Sequence, residues 1–215
     1  MSANMKIDFV SDISCPWCAI GLNALEQALT DVAPEIRAEM HFQPFELNPH
    51  MEAQGEDIVE HIGRKYGASP EQTARTQETI RQRGAEVGFT FNTDARRRIY
   101  NTFDAHRLLH WAEEEGRQRE LKHALFDAYF TRGDNPSDHA VLVAAAERAG
   151  LPAERARQVL ESGNYADAVR ERERFYLDAG IHSVPAVIVN DKHLIQGGQP
   201  AQVFAQALRQ IAAQG

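Results

Sequence analysis

The chain contains two cysteines, Cys15 and Cys18, which stand together as Cys-Pro-Trp-Cys directly behind the apolar run Ile7–Val10. Two thiols three positions apart at the start of a helix can close a small disulfide and reopen it. Such a pair carries two electrons reversibly, and its thiolate form is the nucleophile. The motif therefore predicts thiol–disulfide exchange.

The position of the first sulfur predicts which cysteine attacks. Pro16 suits the first position of a helix, since its missing N–H would have no helical partner there, and this makes Cys15 the predicted N-cap. An N-cap side chain lies near the free amides of the second and third helical residues, here Trp17 and Cys18, and near the positive end of the helix dipole. We therefore expect Cys15 to ionise readily and to be the nucleophile. Cys18, one turn into the helix, is the predicted resolving thiol.

A cysteine pair of this spacing can also bind metal or form a permanent crosslink. A zinc site needs further ligands, but the sequence has no second Cys-x-x-Cys and its nine histidines are scattered, so we expect no metal. A permanent structural disulfide would close a very small loop and would not persist in a reducing cytosol. A chance Cys-x-x-Cys stays open on the motif alone.

Composition narrows the classes of partner. The 215 residues include 23 Lys and Arg against 31 Asp and Glu, a net charge of −8. Binding to nucleic acid or to an anionic membrane usually requires a basic surface, so we expect neither partner. The sequence has no run of about 20 apolar residues, the length that a membrane-spanning helix needs. Residues 1–6 also lack the basic segment followed by an apolar segment that is typical of a signal peptide. We therefore expect a cytoplasmic protein.

The two ends of the chain predict a mixed sheet. A strand at Lys6–Val10, a helix stopping before Pro34 and a strand at Met40–Phe45 form a βαβ unit. Near the other end, Ala186–Val189 reads as a buried strand, and a turn leads to a partner strand at residues 192–196. Pro200 then opens a last helix.

The stretch between these ends reads as a series of helices. Start signals are found at Ser69, Ser137-Asp138 and Asn164, and glycines at 88, 116, 150 and 180 mark ends. One helix is predicted over Arg96–Glu115. Arg96–Arg98 could attract the carboxylates of glutathione or of an acidic substrate, but we interpret them as part of a solvated helix face.

These motifs, with Ser183-Val184-Pro185-Ala186 before the late strand, resemble the DsbA-like branch of the thioredoxin fold. Pro44–Pro49 and Asn101–Leu108 are similar to the FrnE-like group, which is related to 2-hydroxychromene-2-carboxylate isomerases. The resemblance implies an α/β, thioredoxin-like fold with a large all-helical insertion between strand 2 and strand 3. Residues 1–50 and 181–215 would form the thioredoxin-like domain and residues 51–180 the insertion. It also implies a cis bond before Pro185.

The implied function is thiol–disulfide oxidoreductase activity on a disulfide- or dithiol-containing protein or small molecule. Trp17, Val184, Pro185 and His106 are the candidate substrate-binding residues. No tightly bound cofactor is expected, glutathione is a candidate thiol cosubstrate, and monomer and homodimer both stay open.

One alternative is a glutathione-dependent isomerase or transferase, although those relatives carry serine at the position of Cys15. Another is a binding or chaperone-like module with an idle cysteine pair.

Overall fold

The structure is a computed structural model that describes residues 3–214. Residues 1, 2 and 215, at the ends of the predicted thioredoxin-like domain, lie outside the described residues. In chain order the elements are β1 (Ala3–Ser11), α1 (Pro16–Val32), β2 (Ile36–Pro44), β3 (Glu56–Asp57), α2 (Ile58–Tyr66), α3 (Pro70–Glu86), β4 (Arg98–Ile99), α4 (Phe103–Glu114), α5 (Gln118–Phe126), a π-helical turn (Asp127–Thr131), α6 (His139–Arg148), α7 (Ala153–Glu161), α8 (Ala166–Asp178), β5 (Ala186–Val189), β6 (His193–Gln196) and α9 (Ala201–Ala212).

The main sheet has four strands in the order β2–β1–β5–β6. β1 runs parallel to β2 and antiparallel to β5, so that Phe9 stands opposite Phe42 on one side and Val187 on the other. Since β1 is a central strand, every residue from Ile7 to its end is buried. Helix α1 connects β1 to β2, which confirms the predicted βαβ unit, and it ends at Val32, before Pro34.

The carboxyl-terminal part is a hairpin followed by a helix, as predicted. Asn190 and Asp191 both adopt positive φ, 53° and 56°, between β5 and β6. Two successive left-handed residues make the tight hairpin turn that suits the twist of the strands, and Asn and Asp tolerate this conformation well. Helix α9 then packs against α1.

The long segment between β2 and β5 is almost entirely helical. Ser69 caps α3 with a capping box, and Asp138 caps α6 through a hydrogen bond from the Ala140 amide, so both predicted starts are confirmed. This segment also contains one short antiparallel sheet, β3 with β4, in which Glu56 stands opposite Ile99. The insertion is therefore not all-helical.

The prediction of one helix over residues 96–115 is wrong at its beginning. Arg98 and Ile99 pair with β3 in an extended conformation, and α4 starts only at Phe103. The Asn101 side chain accepts a hydrogen bond from the Phe103 amide at 2.9 Å, and side-chain to backbone bonds of this kind compete with helix. The pairing with β3 is a long-range contact that helical periodicity does not reveal.

The insertion shares a continuous apolar core with the sheet. Phe9 and Leu22 belong to the same buried cluster as Trp111, Phe126 and Leu142 of the insertion. The paired cysteines lie in this cluster as well, so both parts of the chain shape their surroundings. No helix within residues 3–214 is long and apolar enough to cross a membrane.

Candidate active site

Cys15 occupies the N-cap of α1, as predicted, with Pro16 beginning the helix. Its side chain makes no hydrogen bond with the helix amides. Its Sγ lies 3.8 Å from the carbonyl oxygen of Val184, to which the thiol donates a weak hydrogen bond. Both cysteines are free thiols. The expected position is thus found, but the sulfur points to the loop before β5.

Cys18 occupies a different environment from Cys15. Its side chain is 0% exposed, against 4% for Cys15. Burial raises the pKa of the Cys18 thiol well above its ordinary value, and the neighbouring Cys15 raises it further, while the charge of Lys122 lowers it. Burial therefore opposes ionisation of the Cys18 thiol.

Two glycines let the loops around β5 and β6 approach the start of α1. A Cβ on Gly21 would lie 3.1 Å from Pro185 Cγ, and one on Gly198 would lie 2.9 Å from the Trp17 carbonyl oxygen. Such contacts are too close for a side chain to fit without displacement. The buried Pro185 follows a cis peptide bond. The close packing brings the Val184 carbonyl to the cysteine pair.

Asp12 is the charged centre of the loop that leads into α1. Its buried carboxylate accepts hydrogen bonds from Thr102 Oγ1 at 2.7 Å, the Leu47 amide at 2.8 Å and Ser14 Oγ at 2.9 Å. Burial alone raises the pKa of Asp12, but hydrogen bonds and the charge of His106 outweigh it, so the net pKa is lowered. This carboxylate ties the loop before Cys15 to α4.

His106 is buried beside Asp12 and does not line the cleft that holds Cys15. Its Nε2 is 3.0 Å from the carbonyl oxygen of Phe45 and 3.3 Å from Asp12 Oδ1. A carbonyl only accepts, so Nε2 carries the proton and donates. The position differs from the one we expected, because His106 faces the interior and supports Asp12 instead of facing a substrate.

Lys122 is a feature that our sequence analysis missed. It lies on α5, is 0% exposed, and its Nζ has no hydrogen-bond partner within residues 3–214. Nζ lies 5.1 Å from the ring centroid of Phe126 and 5.9 Å from that of Phe42. Burial lowers the pKa of Lys122 to about 8, against the opposing effects of Cys18, Asp12 and Cys15. The position of Lys122 among the apolar residues Leu121, Leu125 and Phe126 was the available signal.

A cleft of about 570 Å³ opens beside the cysteine pair. One wall carries Cys15, Trp17 and Val184, and Ile58 and Ile62 of α2 also line it. This volume is in the range that binds small molecules. Val184 and Trp17 therefore lie together at the cleft, whereas the candidate residue Pro185 does not line it, and the contribution of α2 was not predicted.

Arg96 also lines the cleft, which corrects its interpretation as part of a solvated helix face. Its guanidinium lies 4.9 Å from the ring centroid of Tyr129 and 4.8 Å from that of Phe130. The side chain is held by cation–π contacts because residues 96 and 97 are not helical and turn it towards the aromatic core. Among residues 3–214, no cluster of three or more His, Cys, Asp or Glu side chains could hold a metal ion.

Fold and site together define a protein with a thioredoxin-like fold and a pair of cysteines at the start of its first helix. Residues 6–209 match the DSBA-like thioredoxin domain, and the chain belongs to this family. The expected family and fold are thus confirmed.

Solved structures show the same relationship. A probable DsbA oxidoreductase from Streptomyces coelicolor is 36% identical, with a TM-score of 0.88 over 96% of this chain and 89% of that chain. A 2-hydroxychromene-2-carboxylate isomerase shares the fold at 13% identity, with a TM-score of 0.69 and 97% of each chain covered. The cytosolic disulfide reductase DsbM from Pseudomonas aeruginosa, solved with GSH, shares it at 16% identity, with a TM-score of 0.65 over 96% of this chain and 98% of that one.

Proposed function

We propose that the protein is a thiol–disulfide oxidoreductase in which Cys15 attacks and Cys18 resolves. The observation that carries this proposal is the asymmetry of the two thiols. Cys15 lies at the N-terminus of α1 and lines the cleft, whereas Cys18 is fully buried, does not line the cleft and has a raised pKa. The membership of the DSBA-like family supports this assignment.

The proposed cycle conserves atoms and electrons at each step. The Cys15 thiolate attacks one sulfur of the substrate disulfide, the substrate S–S bond breaks, and the departing thiolate takes up a proton. Cys18 then loses its proton and attacks Sγ of Cys15, which releases the second substrate thiol and leaves the enzyme disulfide. A dithiol or two monothiols reduce the enzyme again. Run backwards, the same steps oxidise a dithiol.

Neighbouring groups have proposed roles in positioning the substrate. The backbone of Val184 beside Cys15 would pair with an extended substrate segment, next to Pro185, and Trp17 would contact its apolar part. We propose glutathione as a thiol cosubstrate and the cytosol as the compartment. The description of DsbM as a cytosolic disulfide reductase solved with GSH supports both. The motifs at residues 44–49 and 101–108 support placement in the FrnE-like group.

We also propose the division into a thioredoxin-like part, residues 1–50 and 181–215, and an insertion, residues 51–180. The described main-sheet strands all lie in the first part, and α2 to α8 all lie in the second.

Two variants test the function. Cys15→Ser should reduce disulfide-exchange turnover to the uncatalysed rate, since it removes the attacking sulfur. Cys18→Ser should accumulate a mixed disulfide on Cys15, visible by intact mass. Full turnover by Cys15→Ser would refute the proposal. Glutathione-dependent turnover without net oxidation, insensitive to Cys18→Ser, would instead indicate the isomerase.

A further inference from the structure

The wall of the cleft formed by the insertion carries a histidine held by a carboxylate. His61, on α2, is 5% exposed and lines the same cleft as Cys15. Its Nδ1 lies 2.7 Å from Oε2 of Glu56. Glu56 belongs to the short strand β3 and is also bound by Arg64. The histidine is therefore fixed by a charged partner instead of being free to rotate.

The local sequence explains how this pair is built. Asp57 caps α2 by accepting hydrogen bonds from the amides of Val59 at 2.9 Å and Glu60 at 3.2 Å. The pairing of β3 with β4 fixes Glu56 immediately before this cap. His61 then follows one turn into the helix, where its ring reaches back to the Glu56 carboxylate.

The hydrogen bond determines which ring nitrogen is left for the cleft. A carboxylate only accepts, so Nδ1 of His61 carries a proton and donates to Glu56. Nε2 makes no hydrogen bond with any of residues 3–214. A histidine oriented through one nitrogen by a carboxylate is the arrangement in which the other nitrogen exchanges protons with a reactant.

The surroundings indicate what kind of reactant would enter. The cleft wall is largely apolar, and Ile58, Ile62 and Ile80 on α2 and α3 line it. Thr73 also lines it, is buried, and its Oγ1 has no hydrogen-bond partner within the described part of the chain. A mostly apolar cavity of about 570 Å³ with a few polar groups suits a small organic molecule. The small exposed area of Cys15 also favours a reactant that fits inside.

We propose that the substrate is a small-molecule disulfide with an apolar body, and that His61 donates a proton to its departing thiolate. This inference rests on the proposed oxidoreductase function. The Cys15 thiolate forms the new S–S bond and the substrate S–S bond breaks. The electron pair leaves with the second sulfur, which takes the Nε2 proton of the protonated His61 ring. His61 regains a proton from solvent, and the electrons come from the enzyme dithiol.

The leaving group provides a sharp test. Dibenzyl disulfide releases a basic alkyl thiolate, which needs a proton on sulfur, whereas dithiodipyridine releases a thiolate whose charge is shared with the ring nitrogen, so it departs readily without a proton on sulfur. Both are aromatic and similar in size. In single-turnover oxidation of the reduced enzyme, His61→Gln should slow the reaction with dibenzyl disulfide about 100-fold. The same variant should leave the rate with dithiodipyridine within about twofold.

Further variants serve as controls. The exposed His50 does not line this cleft, and His50→Gln should leave both rates unchanged. Glu56→Gln, which leaves the imidazole in place, should show a weaker loss confined to dibenzyl disulfide. The unchanged rate with dithiodipyridine also reports that each variant is folded.

Each contrary outcome has its own meaning. Equal losses with both disulfides, or no loss with either, would overturn the role of His61. Reduction of insulin by the wild type as fast as dibenzyl disulfide would overturn the small-molecule assignment, while the oxidoreductase function would stand. Exchange that survives Cys15→Ser would refute the proposed function itself.

Discussion

Replacing Lys122 by methionine should stabilise the protein and slow its proposed second step. Lys122 is fully buried, and its amine has no hydrogen-bond partner within residues 3–214. Methionine has a similar length and no charge to bury. Replacing buried charges by well-packed apolar side chains often leaves a protein more stable.

The size of the effect follows from the pKa. Burial lowers the pKa of Lys122 from 10.5 to about 8. At about 1.4 kcal/mol for each pKa unit, the charged amine costs the folded state about 3 kcal/mol at pH 7. Between about pH 8 and pH 10.5 the unfolded state holds the proton and the folded state does not, so this cost disappears as pH rises. The advantage of Lys122→Met should therefore be about 3 kcal/mol at neutral pH and should shrink towards pH 10.5.

The same substitution should affect the chemistry of Cys18. The positive charge of Lys122 lowers the pKa of the Cys18 thiol and so opposes the effect of burial. Without that charge Cys18 ionises less readily, and the mixed disulfide on Cys15 should persist longer. A protein that gains stability and loses its resolving step would show that this buried charge serves function.

Denaturant unfolding at several pH values measures the stability, and quenched-flow mass analysis measures the lifetime of the mixed disulfide. At neutral pH the midpoint of thermal unfolding should rise by about 6 to 12 °C for a chain of this size. Lys192→Met changes an exposed lysine and should shift stability by less than about 0.5 kcal/mol. A loss of stability in Lys122→Met at pH 7, or an advantage independent of pH, would refute the reasoning.

Two further predictions concern the framework of the site. Burial, followed by the charge of Glu173, raises the pKa of Glu46 from 4.5 to about 8, so the folded state holds a proton that the unfolded state has lost. The contribution of Glu46 to the free energy of unfolding should therefore fall as the pH rises from about 4.5 to 8. Glu46→Gln should flatten the dependence of the unfolding free energy on pH over this range, and an unchanged slope would contradict this prediction. Gly198→Ala places a Cβ 2.9 Å from the Trp17 carbonyl oxygen and should destabilise by about 1 to 3 kcal/mol and slow exchange. Gly163→Ala, where a Cβ meets no atom of the described residues within 4 Å, is the matched control, and equal effects at both positions would refute the packing argument.

Local patterns were sufficient to predict much of the fold. The N-cap position of Cys15 follows from the proline after it, and the hairpin turn follows from Asn190 and Asp191. The apolar runs at Ile7–Val10 and Ala186–Val189 both form strands of the main sheet, as predicted. In each case the signal lies within a few neighbouring residues, where steric and hydrogen-bonding preferences act.

The wall of the cleft formed by the insertion could not be predicted from local patterns, because it is built from contacts between residues that are distant in sequence. His61 and Glu56 form a pair only because β3 meets β4 across about 40 residues of chain. Lys122 comes near Cys18 only through the packing of α5 against the sheet, a contact that the sequence of α5 alone does not contain. The predicted helix start at residue 96 was wrong for the same reason, because strand pairing at Ile99 outweighed helical periodicity.

The central claim is that Cys15 and Cys18 form a reversible two-electron couple, and its most direct test is their equilibrium with glutathione redox buffers. Free thiols can be alkylated after acid quenching and counted by intact mass. We expect dithiol and internal disulfide to interconvert in one two-electron transition, with a potential between about −270 and −120 mV. Thiols that stay free across all buffers, or oxidation that ends in glutathionylation without an internal disulfide, would contradict the account.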